Sequence, residues 1–288
     1  MSTRNITITT RLKDPNNPNG EIYTRAIIKN AIDNNTQIIA GADAQDEFNP
    51  SISPYVYKQV NQTEEYVATV LINNSNEGST PPPPGLSVPL CVFTLNGDAC
   101  ILSRTAARDV LRHILDFGFD GDDLWNLFVA LMTATRWLHE KKILHGDIKP
   151  ENLLVYQTQQ GLEFKLFDYD ACIVDCSEDT DDIKKGTIAY MEPEVFLCHP
   201  VTAASDMWSV GVTLYAAAQA KPLWAKPHAV DPVFFSYREW CDGRGDYPLQ
   251  TYNGTHEKKK KIDRVIPYLL NLDPKKREEN FASCFAFF

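Results

Sequence analysis

Apolar and polar positions change rhythm about a third of the way along the chain. Asn5-Ile6-Thr7-Ile8-Thr9-Thr10 alternates with the period of a half-buried strand. Ile22-Tyr23 to Ile28 reads as strand again, and Asp14-Pro15-Asn16-Asn17-Pro18-Asn19-Gly20 between them is dense turn chemistry, so residues 5–30 predict a β-hairpin. A polar stretch runs from Asp33 to Pro54. Tyr55 to Val60 predicts a strand and Thr63 to Ile72 a short helix. Pro81 to Pro84 predict a rigid loop, with a polyproline II ligand as the other reading. Two strands follow, at Leu90–Leu95 and Ala99–Leu102. From Thr105 the period becomes helical. Asp122 and Asp123 offer caps to a helix with Leu124, Leu127, Leu131, Ala134 and Leu138 on one face. A more apolar helix is expected over Asp206–Ala220, and two others over residues 231–241 and 257–272, joined by the loop Asp242-Gly243-Arg244-Gly245-Asp246, and the chain carries no internal repeat. Phe281–Phe288 suits a last amphipathic helix or an abrupt end. Strands first and helices later predict an α+β fold.

Composition narrows the class. The chain has 288 residues, 43% hydrophobic and 23% charged, enough for one large domain or two lobes. No apolar run nears the ~20 residues a bilayer span needs, and the polar Met1-Ser2-Thr3-Arg4-Asn5 is unlike a signal peptide. These features predict no membrane insertion. Seven cysteines, scattered and without a C-x-x-C pair, fit free thiols in a reducing compartment. A net charge of −10 argues against nucleic acid as a partner. The basic run Lys258–Lys261 is expected to be the solvated first turn of a helix, with a nuclear localisation signal as the alternative.

The chemistry concentrates at His145-Gly146-Asp147-Ile148-Lys149-Pro150-Glu151-Asn152, between an apolar helix and the apolar strand Leu153-Leu154-Val155. A carboxylate, an ammonium and an amide at fixed offsets suit phosphoryl transfer. The carboxylate takes the proton of an attacking hydroxyl, the ammonium neutralises the moving phosphate, and the amide oxygen holds a metal ion. Three more clusters follow in order: Asp168-Tyr169-Asp170 after the strand Phe164–Phe167, then Gly186-Thr187 leading to Glu192-Pro193-Glu194, then Asp206-Met207-Trp208-Ser209-Val210-Gly211.

From about Asp98 to Arg277 this order and spacing resemble the protein kinase family, of eukaryotic Ser/Thr type. The resemblance implies a bilobal fold, with a small, mostly β lobe and a larger, mostly α lobe. Residues 1–36 would be a hairpin extension or the first strands of the small lobe, residues 37–104 the small lobe and residues 105–288 the large one. A hinge is expected near Ser103-Arg104, with the nucleotide between the lobes. Asp147 and Lys149 would be catalytic. Asn152 and Asp168 would bind Mg²⁺, with Mn²⁺ as the other ion. Lys58 would pair with ATP phosphates and Glu65 with Lys58. Leu154 would help hold the nucleotide, and Gly41, in the small-residue stretch Ile39–Ala44, would approach its phosphates in place of the glycine loop. The turn Asp14–Gly20 is the rival for that place. Asp206 would bond the catalytic-loop backbone, and Glu194 would pair with Arg277.

The chain departs from the family at three points. No G-x-G-x-x-G occurs. Gly146 stands where the family has the arginine that pairs with an activation-loop phosphate, although Ser177 and Thr180 remain acceptors. Tyr169 and Asp170 replace phenylalanine and glycine. The resemblance therefore implies an atypical ATP-dependent Ser/Thr protein kinase acting on a protein hydroxyl. Glu151 suggests a preference for basic residues near the acceptor. Two alternatives stand beside this: a pseudokinase serving as a binding or scaffold module, and a small-molecule kinase, since Asp168-Tyr169-Asp170 is also D-x-D. A protein substrate, a regulatory protein partner and a cytoplasmic location (host cytoplasm for a viral or bacterial effector) are the corresponding expectations. His113, His139, His199, His228 and His256 show no metal-ligand spacing, and Trp137, Trp208, Trp224 and Trp240 read as core.

Overall fold

A computed structural model describes residues 7–14, 17–31, 36–41, 55–60, 63–74, 81–89, 91–95, 98–104, 106–174 and 186–288. The chain divides into two compact units, one of residues 1–81 and 88–105, the other of residues 82–87 and 106–288. The first is mostly strand and the second mostly helix.

The first unit is built on six antiparallel strands. These are β1 (Thr7–Asp14), β2 (Asn17–Ala31), β3 (Thr36–Gly41), β4 (Tyr55–Gln59), β5 (Cys91–Leu95) and β6 (Asp98–Arg104), in the order β1-β2-β3-β4-β6-β5. Helix α1 (Thr63–Asn74) follows β4. The expected hairpin forms, but its turn is shorter than the turn chemistry suggests. Lys13 pairs with Glu21 and Asp14 with Asn17, so Pro18-Asn19-Gly20 becomes extra length on β2. Proline is tolerated there because β2 meets β3 only from Ala26 onward. The polar stretch Asp33–Pro54 also contains a strand, β3. Its two isoleucines sit between neighbours on both sides, which supply the pairing that a six-residue run cannot announce by periodicity.

In the second unit, β7 (Arg108–Asp109) and α2 (Val110–Asp116) lead to α3 (Gly121–Glu140). The predicted leucine face is the core: Leu124, Leu127, Leu131 and Leu138 are fully buried. Asp120, rather than Asp122 or Asp123, caps the helix by accepting from both of their backbone N–H groups at 2.9 and 2.8 Å. Asp122 and Asp123 occupy the first turn, where the helix dipole favours acids.

After α3 come β8 (Ile143–Leu144), β9 (Leu153–Thr158), β10 (Gly161–Leu166) and β11 (Ile173–Val174). Next are α4 (Pro193–Phe196), α5 (Ala203–Gln219), α6 (Pro232–Cys241), α7 (Glu257–Leu269) and α8 (Pro274–Cys284). Helix α5 starts at a Thr202–Ser205 capping box, three residues before the expected Asp206, and is buried along most of its length. Helix α8 is the element the apolar pattern does not announce, although its start carries an Asp273 cap and Pro274 at the first position. The basic run falls in the first turn of α7. Two of its lysines turn back to α3: Lys258 meets Asp122 at 2.6 Å, and Lys259 donates to the Phe119 carbonyl at 2.7 Å.

Two short pairings frame the site. β8 pairs with β11, bringing the chain before Asp147 beside the chain after Asp168. β9 pairs with β10 and β7. Residues 82–87 add a strap along β10, with Leu166 N–H donating to the Gly85 carbonyl and Ser87 N–H to the Leu166 carbonyl, both at 2.8 Å. Gly85 lies so close to the Ala130 backbone of α3 that a Cβ has no room. The tetraproline thus runs into a fixed loop, whose Pro84 carbonyl also accepts from Lys165 Nζ at 3.1 Å.

Candidate active site

The segment 145–152 is shaped by one buried residue and one proline. Ile148 is fully buried, and its carbonyl accepts from Thr213 of α5 at 3.4 Å. Its neighbours on either side, Asp147 and Lys149, stay half-buried. Pro150 then opens a single 3-10 turn that ends on Asn152. The turn folds Asn152 back, so its amide nitrogen donates to the Asp147 carbonyl at 2.8 Å and to Asp147 Oδ2 at 3.1 Å.

Asp147 is the centre of the cluster. Its Oδ2 also meets Lys149 Nζ at 2.6 Å, and its Oδ1 accepts from Thr187 N–H at 2.8 Å. Lys149 Nζ donates in addition to Thr187 Oγ1 at 2.7 Å. Thr187 therefore joins a site for which sequence offered it only as part of a motif. The arrangement holds the carboxylate and ammonium in one fixed pair, the geometry that proton acceptance and phosphate neutralisation require.

The loop backbone is anchored from α5. Asp206 Oδ2 accepts from His145 N–H at 2.8 Å, and Oδ1 accepts from Gly146 N–H at 2.9 Å. His139 Nε2 lies 2.9 Å from Asp206 Oδ2, a role its lack of metal-ligand spacing did not suggest. Burial alone would raise the Asp206 carboxyl, but these hydrogen bonds outweigh it and hold the group below the usual carboxylate range.

Gly146 has φ +75, a left-handed backbone that favours glycine, and a Cβ there would strike the Ala171 carbonyl oxygen. Gly186, with φ +105, has room for a Cβ only 2.5 Å from the Gly146 carbonyl oxygen. Gly146, Ala171 and Gly186 thus pack backbone to backbone, with no space for a side chain at Gly146.

Asp168 also has a left-handed backbone, with φ +66, while Asp170, at the family's glycine position, does not. Asp170 therefore needs no glycine-like conformation here. Phe167 N–H donates to the Asn152 carbonyl at 3.1 Å, tying the chain at Asp168 to the chain at Asn152. The hydrogen bonds from the Asn152 amide nitrogen to Asp147 leave its Oδ1 as the atom for a cation. An amide oxygen and the Asp168 carboxylate are both hard donors, the chemistry that Mg²⁺ or Mn²⁺ takes. Leu154 lies in β9, paired with Lys165 and Asp109. Glu151 is half-buried, and its Oε2 is enclosed with no hydrogen-bond partner among the described residues.

Within the first unit, Lys58 Nζ lies 2.9 Å from Glu65 Oε1. Lys58 sits in β4 between Thr36 and Ile101. Gly41 is the last residue of β3, opposite Ala26, while Ala42, Asp43 and Ala44 lie outside the described residues, as do Ser177 and Thr180.

The structural ion pair is larger than the sequence suggests. Arg277 is fully buried. It meets Glu194 at 3.4 Å and makes a closer bond with Glu192, which also accepts from Ser205 Oγ at 2.5 Å. Arg277 lies over the ring of Trp208, which stacks on Trp224 at 5.6 Å. Glu192 was the signal to read: an acid one residue before Pro193-Glu194, where the family pattern A-P-E has alanine.

Similar proteins bear on the family of the chain. The chain is 30% identical over 182 residues to a probable myosin light chain kinase of Dictyostelium discoideum, covering 62% of this chain and 36% of that protein. It is 31% identical over 142 residues to a calcium and calcium/calmodulin-dependent serine/threonine-protein kinase of Lotus japonicus, covering 49% of this chain and 26% of that one. It is 38% identical over 95 residues to the serine/threonine-protein kinase ULK3 of Xenopus laevis, covering 33% and 20%. The aligned part thus spans little more than a third of these relatives' length at most. Among the described residues no helix is long and apolar enough to cross a membrane. The family model for the protein kinase domain matches residues 90–283, over half of the chain, and with the loop, strand and helix geometry above it, this chain belongs to the protein kinase family.

Proposed function

We propose that this domain is an active Ser/Thr-type kinase that uses ATP and Mg²⁺ to phosphorylate a protein hydroxyl. The observation that carries the reading is the closed set of hydrogen bonds among Asp147, Lys149, Asn152 and Thr187. In this reading Asp147 orients the acceptor hydroxyl and takes its proton as the new O–P bond forms and the bond to the ADP leaving group breaks. Lys149 neutralises charge on the transferring phosphoryl group. Asn152 Oδ1 and the Asp168 carboxylate hold the metal ion, whose chemistry when bound is to screen the phosphate charges. Lys58, fixed by Glu65, pairs with nucleotide phosphates. Leu154 and Gly41 contact the nucleotide.

The half-buried Glu151, directly after Pro150 in the loop, supports a preference for an arginine or lysine close to the acceptor, because its carboxylate supplies a counter-charge there. A peptide array tests this: preference for basic positions is expected, and equal use of acidic peptides removes the assignment. The main test is ATP turnover on protein substrates by the natural chain and by Asp147→Ala. Loss of turnover in the variant is expected. Equal, negligible phosphorylation by both would leave a binding module.

A further inference from the structure

Tyr169 does something that phenylalanine at the same place cannot. Its hydroxyl donates a buried hydrogen bond to the Ser87 carbonyl at 2.9 Å. Ser87 belongs to the strap of residues 82–87, which is fixed on both sides of Leu166 and packed through Gly85 on α3. The ring of Tyr169 lies 5.8 Å from that of His145, whose Nε2 is 3.0 Å from the Phe167 carbonyl. On its other side the Tyr169 carbonyl accepts from Cys172 N–H at 3.1 Å.

These contacts flank Asp168, whose left-handed backbone is less favourable than the right-handed one for a residue with a Cβ. Such a conformation persists only where its surroundings over-determine it. We infer that the Tyr169 hydroxyl is a positioning group for Asp168, latching the Asp168–Asp170 turn to the 82–87 strap and holding the aspartate in its left-handed conformation. The consequence for metal binding rests on the reading of Asp168 as a metal ligand. The latch itself does not.

The test compares the full chain with Tyr169→Phe, and with Tyr268→Phe as an exposed control. Hydrogen exchange of the amides of residues 168–172 is expected to quicken about tenfold in Tyr169→Phe, with α3 and α5 unchanged and the control unaffected. The Mg²⁺ concentration giving half-maximal ATP binding should rise about fivefold, while ATP affinity without metal stays the same. Unchanged exchange at 168–172, or a uniform quickening that includes α3 and α5, would each overturn the inference, whereas quickened exchange with an unchanged Mg²⁺ requirement would keep the latch and remove the reading of Asp168 as a metal ligand. Failure of the natural chain to bind ATP would instead remove the kinase reading, and exchange alone would then decide the latch.

Discussion

Two of the cation–carboxylate clusters in the second unit differ in what water can reach. In the Lys149–Asp147 pair the side chains are 19% and 14% exposed, whereas in the Arg277–Glu192 pair they are 0% and 2%. A half-buried cluster can exchange partners: its carboxylate can accept a proton and its ammonium can meet a phosphate. A fully buried cluster cannot release either charge without leaving the other stranded in a poor solvent. The same chemistry therefore suits the proposed reactivity in one place and architecture in the other, and solvent access makes the difference. The first cluster joins the catalytic loop to Thr187. The second ties α4 and the start of α5 to α8, with Arg277 also donating to the Ala204 carbonyl at 2.9 Å.

Removing the cation from the buried cluster should have the largest effect on stability. Arg277→Ala leaves Glu192 and Glu194 uncompensated and should cost about 3–5 kcal/mol, lowering the melting temperature by about 10 °C in calorimetry. A loss under about 1 kcal/mol would erase the contrast between the clusters. Asp147→Ala should do the reverse. Its kcat should fall by about 10²–10⁴ in a steady-state assay, with thermal stability held within about 1 kcal/mol because water can solvate the donors left behind.

Gly146→Ala probes the backbone packing beside the reactive cluster. The left-handed φ and the close Ala171 carbonyl should together cost about 2 kcal/mol, seen as an earlier urea midpoint with unchanged slope. Full stability in this variant would mean that the three segments can separate at no cost.

The smallest expected effect is on pH dependence, where two buried carboxylates carry opposite signs. Asp206 is held low, so its contribution is present above an unfolded value of ~3.9 and is lost as pH falls through the lower folded one. Burial pushes Glu192 up, and Arg277 and Ser205 offset only part of that. Its contribution is present below an unfolded value of ~4.3 and is lost as pH rises through the higher folded one. Melting curves across acidic pH should therefore lose part of their acid limb in Asp206→Asn. In Glu192→Gln they should lose a decline that begins above about pH 4.3. Slopes of the same sign in both variants would contradict the assignment.

Much of the candidate site is legible in the chain because its members are neighbours. Asp147, Lys149 and Asn152 lie within six residues, and a single 3-10 turn converts that spacing into contact. The leucine face of α3 is equally plain, since a period of 3.6 writes a buried stripe directly. Other members resist such reading. His139 and Asp206 are 67 residues apart, and nothing local to His139 marks it as a partner for a carboxylate. Glu192 resembles any surface acid until Arg277 arrives from 85 residues away. The strand β3 is hidden for a related reason: its flanks are polar, and its pairing partners, not its own pattern, make it a strand.

Sequence by itself determined the family, the order of the candidate catalytic groups and the faces of the long helices. Those follow from offsets of a few residues, over which backbone geometry leaves little freedom. Tertiary structure decided which charges water can reach, which glycines have no room for a side chain, and what the Tyr169 hydroxyl touches. Those depend on how distant segments exclude solvent and fill space together, and no local pattern encodes that.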